Sequence, residues 1–220
     1  EADLAAYADH YLPVRFAGPL TSKLSKRYWE KPGVNGLPLV FAIQDFHADF
    51  SMMHSMGGLM AYLYGVSVYE AVADRGQTAR LGKHTWGDKT VPSRFFELPD
   101  SENVSAVMFN SQGTLPKFSR MGVKVGFARE DVKILHGGKL LIPSDEGIER
   151  TTFSGEVEAD YWEEWVSGME VFHNPGALRP LDPRSVPAAV HHILDQDGNM
   201  QSLYPERHIA QAQTYVVELT

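Results

Sequence analysis

The chain has 220 residues, a formal net charge of −8 and no cysteine. This length suffices for one hydrophobic core, or for a core with an appendage. The missing cysteine excludes disulfides, thiolate zinc sites and cysteine nucleophiles. The acidic balance disfavours nonspecific binding to DNA or to anionic membranes, and without an apolar run of about 18 residues no membrane span is predicted.

The N-terminal residues lack a basic segment followed by an apolar one, so no signal peptide is predicted. A chain without cysteine is compatible with a reducing compartment, and we predict a cytoplasmic location. Because the sequence begins with Glu1 and not with Met, we expect a processed chain, a trimmed chain or a piece of a longer reading frame.

Two helices are predicted before the first strand. Apolar residues at helical spacing indicate a helix over 2–12 that ends at Pro13, and Thr21 or Ser22 could cap the next helix. The second helix carries the basic residues Lys23, Lys26, Arg27 and Lys31. This basic helix could contact the backbone of a nucleic acid, and a solvated helix face explains the same residues equally well.

An unbroken apolar run over 39–43 predicts a strand that is covered on both faces, as in a parallel sheet between helices. A helix over 51–64 follows, and Gly65 stops it. The stretch 74–100 contains several Gly and Pro residues and predicts a β-hairpin or a long loop. A second apolar strand is predicted over 104–109.

After residue 130, short apolar pieces alternate with turns, which predicts a β-rich half. Residues 160–166 could form one or two helical turns, and 195–199 predicts a β-turn in preference to a calcium loop. The predicted fold class is therefore α/β or α+β, with a mixed sheet flanked by helices and then a β-rich C-terminal half. We predict a single domain with a soft boundary near residue 130, between an α/β core and a β-rich extension.

Acidic and histidine side chains follow the first long strand directly: Asp45, His47, Asp49 and His54. Ligands of open α/β sheets bind just beyond the carboxyl ends of strands. Carboxylate and imidazole groups bind Mg, Mn or Zn, so Asp45, His47 and Asp49 are candidate metal ligands. Asp45 and His47 are the candidate catalytic pair. The alternative is an ordinary helix N-terminus, capped by Asp49 or Ser51, with His47 as a polar loop residue.

The turn after the second strand is a second candidate region. A strand, a glycine-containing turn and a helix N-terminus can form an anion cradle. The candidate substrate-binding residues are Asn110, Ser111, Gly113, Thr114 and Lys117. An ordinary capped turn is the alternative. If the two strands are parallel, this turn and Asp45 leave the sheet at the same edge and could share a pocket.

Further histidines lie in the C-terminal half. His173 and Asn174 follow a predicted strand, and His191 and His192 are adjacent. Because neighbouring residues of a strand point to opposite faces, at most one of this pair would line a given site. Serine catalysis has weak support, since the segment 55–58 is not a nucleophile elbow.

Several stretches resemble an uncharacterised family of bacterial proteins: KLSKRYWEKPGVNGLPLVFAIQDFH, MAYLYG, WGDKTVPSRFFELP, ENVSAVMFNSQGTLPKFSRMGVKVGF and HNPGALRPLDP. Longer members are similar, in their N-terminal region, to the PD-(D/E)XK nuclease core, in which an Asp and a Glu-x-Lys-type motif bind a divalent metal. The resemblance implies that residues 20–64 match the helix, strand and helix that follow this motif. The sequence contains no copy of the motif, so no catalytic residue is carried over.

Three hypotheses on function follow. The first is a metal-dependent hydrolase of a phosphoester or another small ester, in which a divalent metal on Asp45 and His47 lowers the pKa of its bound water. The second is a noncatalytic binding or accessory module of a nuclease-like or defence protein, which the acidic charge and the missing motif favour. The third is a metal-independent hydrolase that uses His with Ser or Asp.

Overall fold

The computed structural model describes residues 2–46, 51–67 and 80–219. The helices are α1 (Ala2–Ala6), a π-helical turn (Tyr7–Tyr11), α2 (Leu12–Leu24), α3 (Ser51–Tyr64) and α4 (Leu115–Lys124). The strands are β1 (Val40–Ile43), β2 (Lys83–Trp86), β3 (Lys89–Pro92), β4 (Ala106–Asn110), β5 (Val132–Ser144), β6 (Gly147–Glu156), β7 (Met169–His173), β8 (Val190–Leu194), β9 (Met200–Leu203) and β10 (His208–Glu218). The predicted mixed class with a β-rich C-terminal half is confirmed.

The strands form three sheets. A five-stranded sheet has the order β1-β4-β7-β8-β9, a three-stranded sheet has the order β10-β5-β6, and β2 pairs with β3. The pairing of β1 with β4 is parallel, with Ile43 opposite Phe109, so both strands end at the same edge of the sheet. The β2–β3 hairpin is the one predicted within 74–100, of which 74–79 lie outside the described residues. Within the described ranges, no helix combines the length and the apolar character that crossing a membrane requires.

The chain divides into two compact units. The first unit consists of Glu1–Phe109, Phe172–Asp182 and Ile193–Met200, and the second of Asn110–Val171, Pro183–His192 and Gln201–Thr220. The core of the first unit is apolar, and α2, α3, β1 and β4 contribute to it the side chains of Phe16, Leu20, Leu59, Leu63, Phe41 and Val107. Each buried side chain of this size contributes about 1.5–3 kcal/mol.

The helical region over 2–24 is continuous, whereas the sequence pattern predicted two helices separated at Pro13. Pro13 lies in the first turn of α2, where a missing N–H is tolerated. Because Pro13 has no N–H, the carbonyl of Asp9, four residues earlier, lacks its helical hydrogen-bond donor. His84 Nδ1 lies 2.5 Å from that carbonyl oxygen. Thr21, predicted as a cap, lies inside α2, and its hydroxyl donates at 2.6 Å to the carbonyl four residues before it.

The prediction of helical turns over 160–166 is wrong, because the segment forms turns and irregular chain. Two of its side chains are drawn into the interior of the second unit. The Tyr161 hydroxyl contacts His136 at 2.6 Å, and the Glu163 carboxylate contacts Arg120 at 2.6 Å. These contacts to other elements replace the local pairing that a helix would provide.

The β-turn predicted over 195–199 is confirmed, and it joins β8 to β9. Asp195 Oδ1 accepts hydrogen bonds from the backbone N–H groups of Asp197 at 3.0 Å and Asn199 at 2.8 Å. Gly198 takes a left-handed conformation with a φ of 83°, which glycine adopts without strain. The Asp195 carboxylate thus stabilises the backbone of the turn.

Candidate functional site

A buried carboxylate joins two histidines in the second unit. Glu170, on β7, accepts a hydrogen bond from His192 Nε2 at 2.6 Å on one oxygen and from His208 Nε2 at 3.1 Å on the other. His192 lies on β8, and His208 begins β10. None of the three side chains is more than 8% exposed.

Ser202 extends this arrangement to the solvent. Its hydroxyl lies 2.8 Å from His192 Nδ1, and the residue is exposed on β9. Since β7, β8 and β9 are consecutive neighbours in the sheet, the three strands present Glu170, His192 and Ser202 in that order. We call Ser202, His192, Glu170 and His208 the Glu170 network.

The electrostatics of the Glu170 network select its protonation state. Burial raises the pKa of Glu170, but the hydrogen bonds and charges of His192 and His208 outweigh it and bring this pKa below its ordinary value. The ionised carboxylate accepts two N–H bonds, so each histidine carries its proton on Nε2. In neutral His192 the Nδ1 lone pair therefore faces the Ser202 hydroxyl, as a general base requires.

Tyr204 lies beside His208 of the network. Their rings meet edge to face with centroids 5.8 Å apart. Burial, followed by the negative charge of Glu170, raises the pKa of Tyr204, so its phenol keeps its proton. Among the described residues, His208 Nδ1 is buried without a hydrogen-bond partner.

The distances in the Glu170 network are those of hydrogen bonds. Two ligand atoms that share a tetrahedral metal, each about 2.1 Å from it, lie well over 3 Å apart. The 2.6 Å between His192 Nε2 and the Glu170 oxygen is shorter than this separation. Within the described part of the chain, no group of three or more His, Asp or Glu side chains could hold a metal ion.

Asp45 lies in the first unit, directly after β1, and is 6% exposed. Its carboxylate accepts a hydrogen bond from the buried Ser55 hydroxyl of α3 at 2.7 Å. Tyr7 of the π-helical turn interacts electrostatically with this carboxylate. Burial, then Tyr11 and then Asp45 raise the pKa of the Tyr7 hydroxyl. The Tyr7 ring also meets the His54 ring edge to face at 6.2 Å. We call Asp45, Ser55, His54 and Tyr7 the Asp45 corner.

The predicted metal ligands are only partly placed. His47 and Asp49 lie outside the described residues. The catalytic role of Asp45 and His47, and the metal role of Asp45, His47 and Asp49, stay predictions. The structure adds Ser55 and Tyr7 to the surroundings of Asp45, and both are residues that can donate a hydrogen bond to a carboxylate.

The turn after β4 uses polar groups to hold its own backbone. Asn110 Oδ1 accepts from the Gln112 N–H at 2.7 Å, an Asx turn. Thr114 directly precedes α4, and its side chain makes no capping bond. The substrate-binding role of Asn110, Ser111, Gly113 and Thr114 stays a prediction.

Lys117, the fifth residue predicted to bind substrate, belongs to a buried ion cluster. Its ammonium donates to the Ser167 carbonyl at 2.7 Å and lies 3.4 Å from the Glu163 carboxylate. Arg120 binds both oxygens of Glu163, at 2.6 and 2.8 Å, and His136 Nδ1 lies 3.8 Å away. All four ionisable side chains are at most 2% exposed, and we call them the Glu163 cluster.

The Glu163 cluster predicts a loss of stability in mild acid. Burial, and then the charge of Arg120, lower the pKa of His136 from 6.5 to about 4. Between these values the unfolded chain binds a proton that the folded chain does not, so the free energy of unfolding falls as the pH falls. The full effect is about 3 kcal/mol. Glu163 and Glu170 affect the free energy of unfolding only at lower pH. Their pKa values in the folded chain are lowered, so both carboxylates stay ionised until the pH falls below the ordinary pKa of a glutamate.

Urea unfolding at pH 7, 5.5 and 4.5 measures this dependence. His136→Gln, whose amide can still bond the Tyr161 hydroxyl, is expected to flatten the profile in that range. A wild-type profile that His136→Gln reproduces unchanged would exclude His136 as the cause.

Two residues of the basic segment, Arg27 and Lys31, have structural partners. Arg27 forms ion pairs with Glu30 at 2.7 Å and Asp100 at 3.1 Å, and Lys31 lies over the Tyr28 ring at 4.6 Å. Contact of this basic segment with nucleic acid stays a prediction.

Asn174 and the adjacent histidines also have defined contacts. The Asn174 amide donates to two backbone carbonyls, both at 2.8 Å, and so fixes a turn. His191 Nε2 lies 3.0 Å from a backbone carbonyl. Of the adjacent pair, His192 joins the Glu170 network, as alternation along a strand predicts.

Sequence reasoning missed Glu170 and Ser202. Both are isolated residues of short strands, in the segments MEVFH and MQSL. The sequence signal for them is weak: Glu170 lies on the same strand as His173, and Ser202 lies on the strand that follows the one with His192. No protein-family model, no curated protein and no solved structure matches the chain. The resemblance to the bacterial family therefore stays a prediction.

Proposed function

We propose that the chain is a metal-independent hydrolase of a carboxylic ester or a related acyl substrate, with Ser202 as its nucleophile. The observation that carries this proposal is the contact of 2.8 Å between His192 Nδ1 and the hydroxyl of Ser202, an exposed residue of β9. Glu170 holds the other nitrogen of the same ring at 2.6 Å. A serine, a histidine and a buried carboxylate in this order are the parts of a catalytic triad, here with the two imidazole nitrogens exchanged in role.

The reaction follows from these contacts. Ser202 Oγ attacks the carbonyl carbon while His192 Nδ1 takes the hydroxyl proton, and the ionised Glu170 stabilises the imidazolium. The proton then passes to the departing alkoxide, which leaves the acyl group on Ser202. Water, activated by His192 in the same way, releases the acid and restores the serine.

Glu170 and His208 act as positioning residues. Glu170 fixes the tautomer and orientation of His192, which determines that Nδ1 and not Nε2 faces Ser202. His208 occupies the second oxygen of Glu170 at 3.1 Å. A carboxylate bonded on both oxygens cannot rotate away from His192, so the geometry of the pair is held before substrate arrives.

We expect Ser202→Ala to reduce the turnover of p-nitrophenyl acetate by about a thousandfold or more, because the alanine has no hydroxyl that His192 could activate. Ser119 is also exposed, but its hydroxyl faces the backbone of its own helix, so Ser119→Ala is the matched control. Initial rates and melting temperatures are measured for the wild type, Ser202→Ala and Ser119→Ala, so that a loss of turnover can be told from a loss of folding. Turnover that survives in Ser202→Ala at the wild-type rate would refute the nucleophile.

A second candidate function is the metal-dependent hydrolase centred on the Asp45 corner. One observation favours it: a buried carboxylate lies directly after β1, which pairs in parallel with β4. Activity that EDTA abolishes and Asp45→Asn removes would support this function, whereas the Ser202 reaction is insensitive to EDTA. A chain without turnover in either assay fits the noncatalytic module.

A further inference from the structure

The three-stranded sheet of the second unit has a solvent-facing surface with a groove of about 420 Å³. Strand register places Gly137 at its centre, between Ser154 on β6 and Gln213 on β10. The next row on one side consists of Thr152, Lys139 and Gln211. The row on the other side places Tyr215 beside the groove. These side chains share one face because residues two apart on a strand point the same way. We call this surface the Gly137 face.

The floor of the groove exists because Gly137 has no side chain. A Cβ at this position would lie 3.1 Å from the Phe153 carbonyl oxygen and 3.3 Å from Ser154 Cβ. The neighbouring Gly138 allows a further close approach, since its Cβ would collide with the Gln211 carbonyl oxygen beside the bulge in β10. The two glycines therefore shape a depression in the sheet.

Most side chains around the groove carry a polar group, and Lys139 is the one charged residue among the described lining residues. It offers the hydroxyls of Thr152 and Ser154, the amides of Gln211 and Gln213, and the ammonium of Lys139. No Asp or Glu is among the described residues that line it. A volume of this size lies in the range of small-ligand sites, about 300–1,000 Å³.

An aromatic ring completes the Gly137 face. Tyr215 is 56% exposed, which is high for a large aromatic side chain, and its hydroxyl bonds Gln213. The ring lies at the edge of the groove. An exposed ring next to amides and hydroxyls suits a ligand with one apolar face and many hydroxyl groups. The net charge of −8 disfavours a polyanion such as a nucleic acid.

We propose that the Gly137 face binds a neutral oligosaccharide. A sugar ring stacks on Tyr215, and its hydroxyls exchange hydrogen bonds with Gln211, Gln213 and Ser154 across the groove. This site is separate from the Ser202 chemistry and does not depend on it, because its residues take no part in the Glu170 network.

Isothermal titration of the full chain with cellohexaose, xylohexaose and chitohexaose tests the proposal. We expect at least one of them to bind, Tyr215→Ala to weaken that binding about tenfold, and Tyr215→Phe to retain it. Val217 lies on the same face two residues further along β10 and outside the groove, so Val217→Ala is the control and should bind as the wild type does.

Two results would overturn the proposal. One is the absence of binding by all three hexasaccharides to the folded wild-type chain. The other is binding that Tyr215→Ala and Val217→Ala weaken equally, which would show that the ring has no special role. Turnover of p-nitrophenyl acetate, measured on the same samples, reports separately on Ser202.

Discussion

Replacement of Glu170 by glutamine is expected to reduce the rate of ester hydrolysis by about ten-thousand-fold. The glutamine amide carries both a donor and an acceptor, so it cannot accept a proton from both histidines as the carboxylate does. If its NH₂ group faces His192 Nε2, the imidazole must place its proton on Nδ1. That nitrogen then donates to Ser202 and can no longer take the serine proton.

The kinetic form of this loss separates positioning from general damage. Since Glu170 acts through His192 and touches no substrate, kcat should fall while KM changes little. Glu164→Gln is the control, because Glu164 is an exposed carboxylate of the same unit and lies outside the network. A Glu170→Gln protein that melts like the wild type and retains its kcat would show that the carboxylate does not govern His192.

Replacement of Glu163 by alanine is expected to lower the free energy of unfolding by about 3–5 kcal/mol. The side chains of Lys117 and Arg120 are each 2% exposed, and without Glu163 both charges would remain buried with no carboxylate opposite. Urea unfolding measures the difference. Glu164→Ala provides the matched control and should change stability by less than about 0.5 kcal/mol.

A multiple replacement distinguishes the cost of unpaired charge from loss of packing. If unpaired charge is the cause, the triple variant Lys117→Met, Arg120→Met, Glu163→Met should be more stable than Glu163→Ala, because it leaves no charge uncompensated. A triple variant less stable than Glu163→Ala would show that packing and the hydrogen bonds to Ser167 and Thr214 dominate. A Glu163→Ala protein as stable as the Glu164→Ala control would contradict the account of the cluster.

The elements that the sequence predicts well are those with a local signature. The apolar runs over 39–43 and 104–109 indicated strands, and they pair in parallel as β1 and β4. The further prediction that the first strand is covered on both faces is wrong, because Ala42 of β1 is exposed. The predicted helix end at Pro13 is wrong, because a residue far along the chain compensates for the N–H that Pro13 lacks. The Asp9 carbonyl finds a side-chain partner in His84, which a local pattern cannot reveal.

The Glu170 network and the Glu163 cluster could not be predicted, because each depends on which strands become neighbours. Glu170, His192 and Ser202 meet only once the order β7-β8-β9 is set. Lys117 was interpreted as an anion-binding residue beside a turn, whereas its helix turns it toward Glu163. The spacing of residues along the chain does not indicate that the charged face of α4 is buried.

Labelling with a fluorophosphonate, followed by peptide mass mapping, tests the central claim most directly. The reagent requires a serine that a neighbouring base has activated. We expect a single adduct on Ser202 in the folded protein, which His192→Ala and unfolding in urea both abolish. A folded protein that takes up no label, or that carries it on a different serine, would contradict the assignment of Ser202 as the nucleophile.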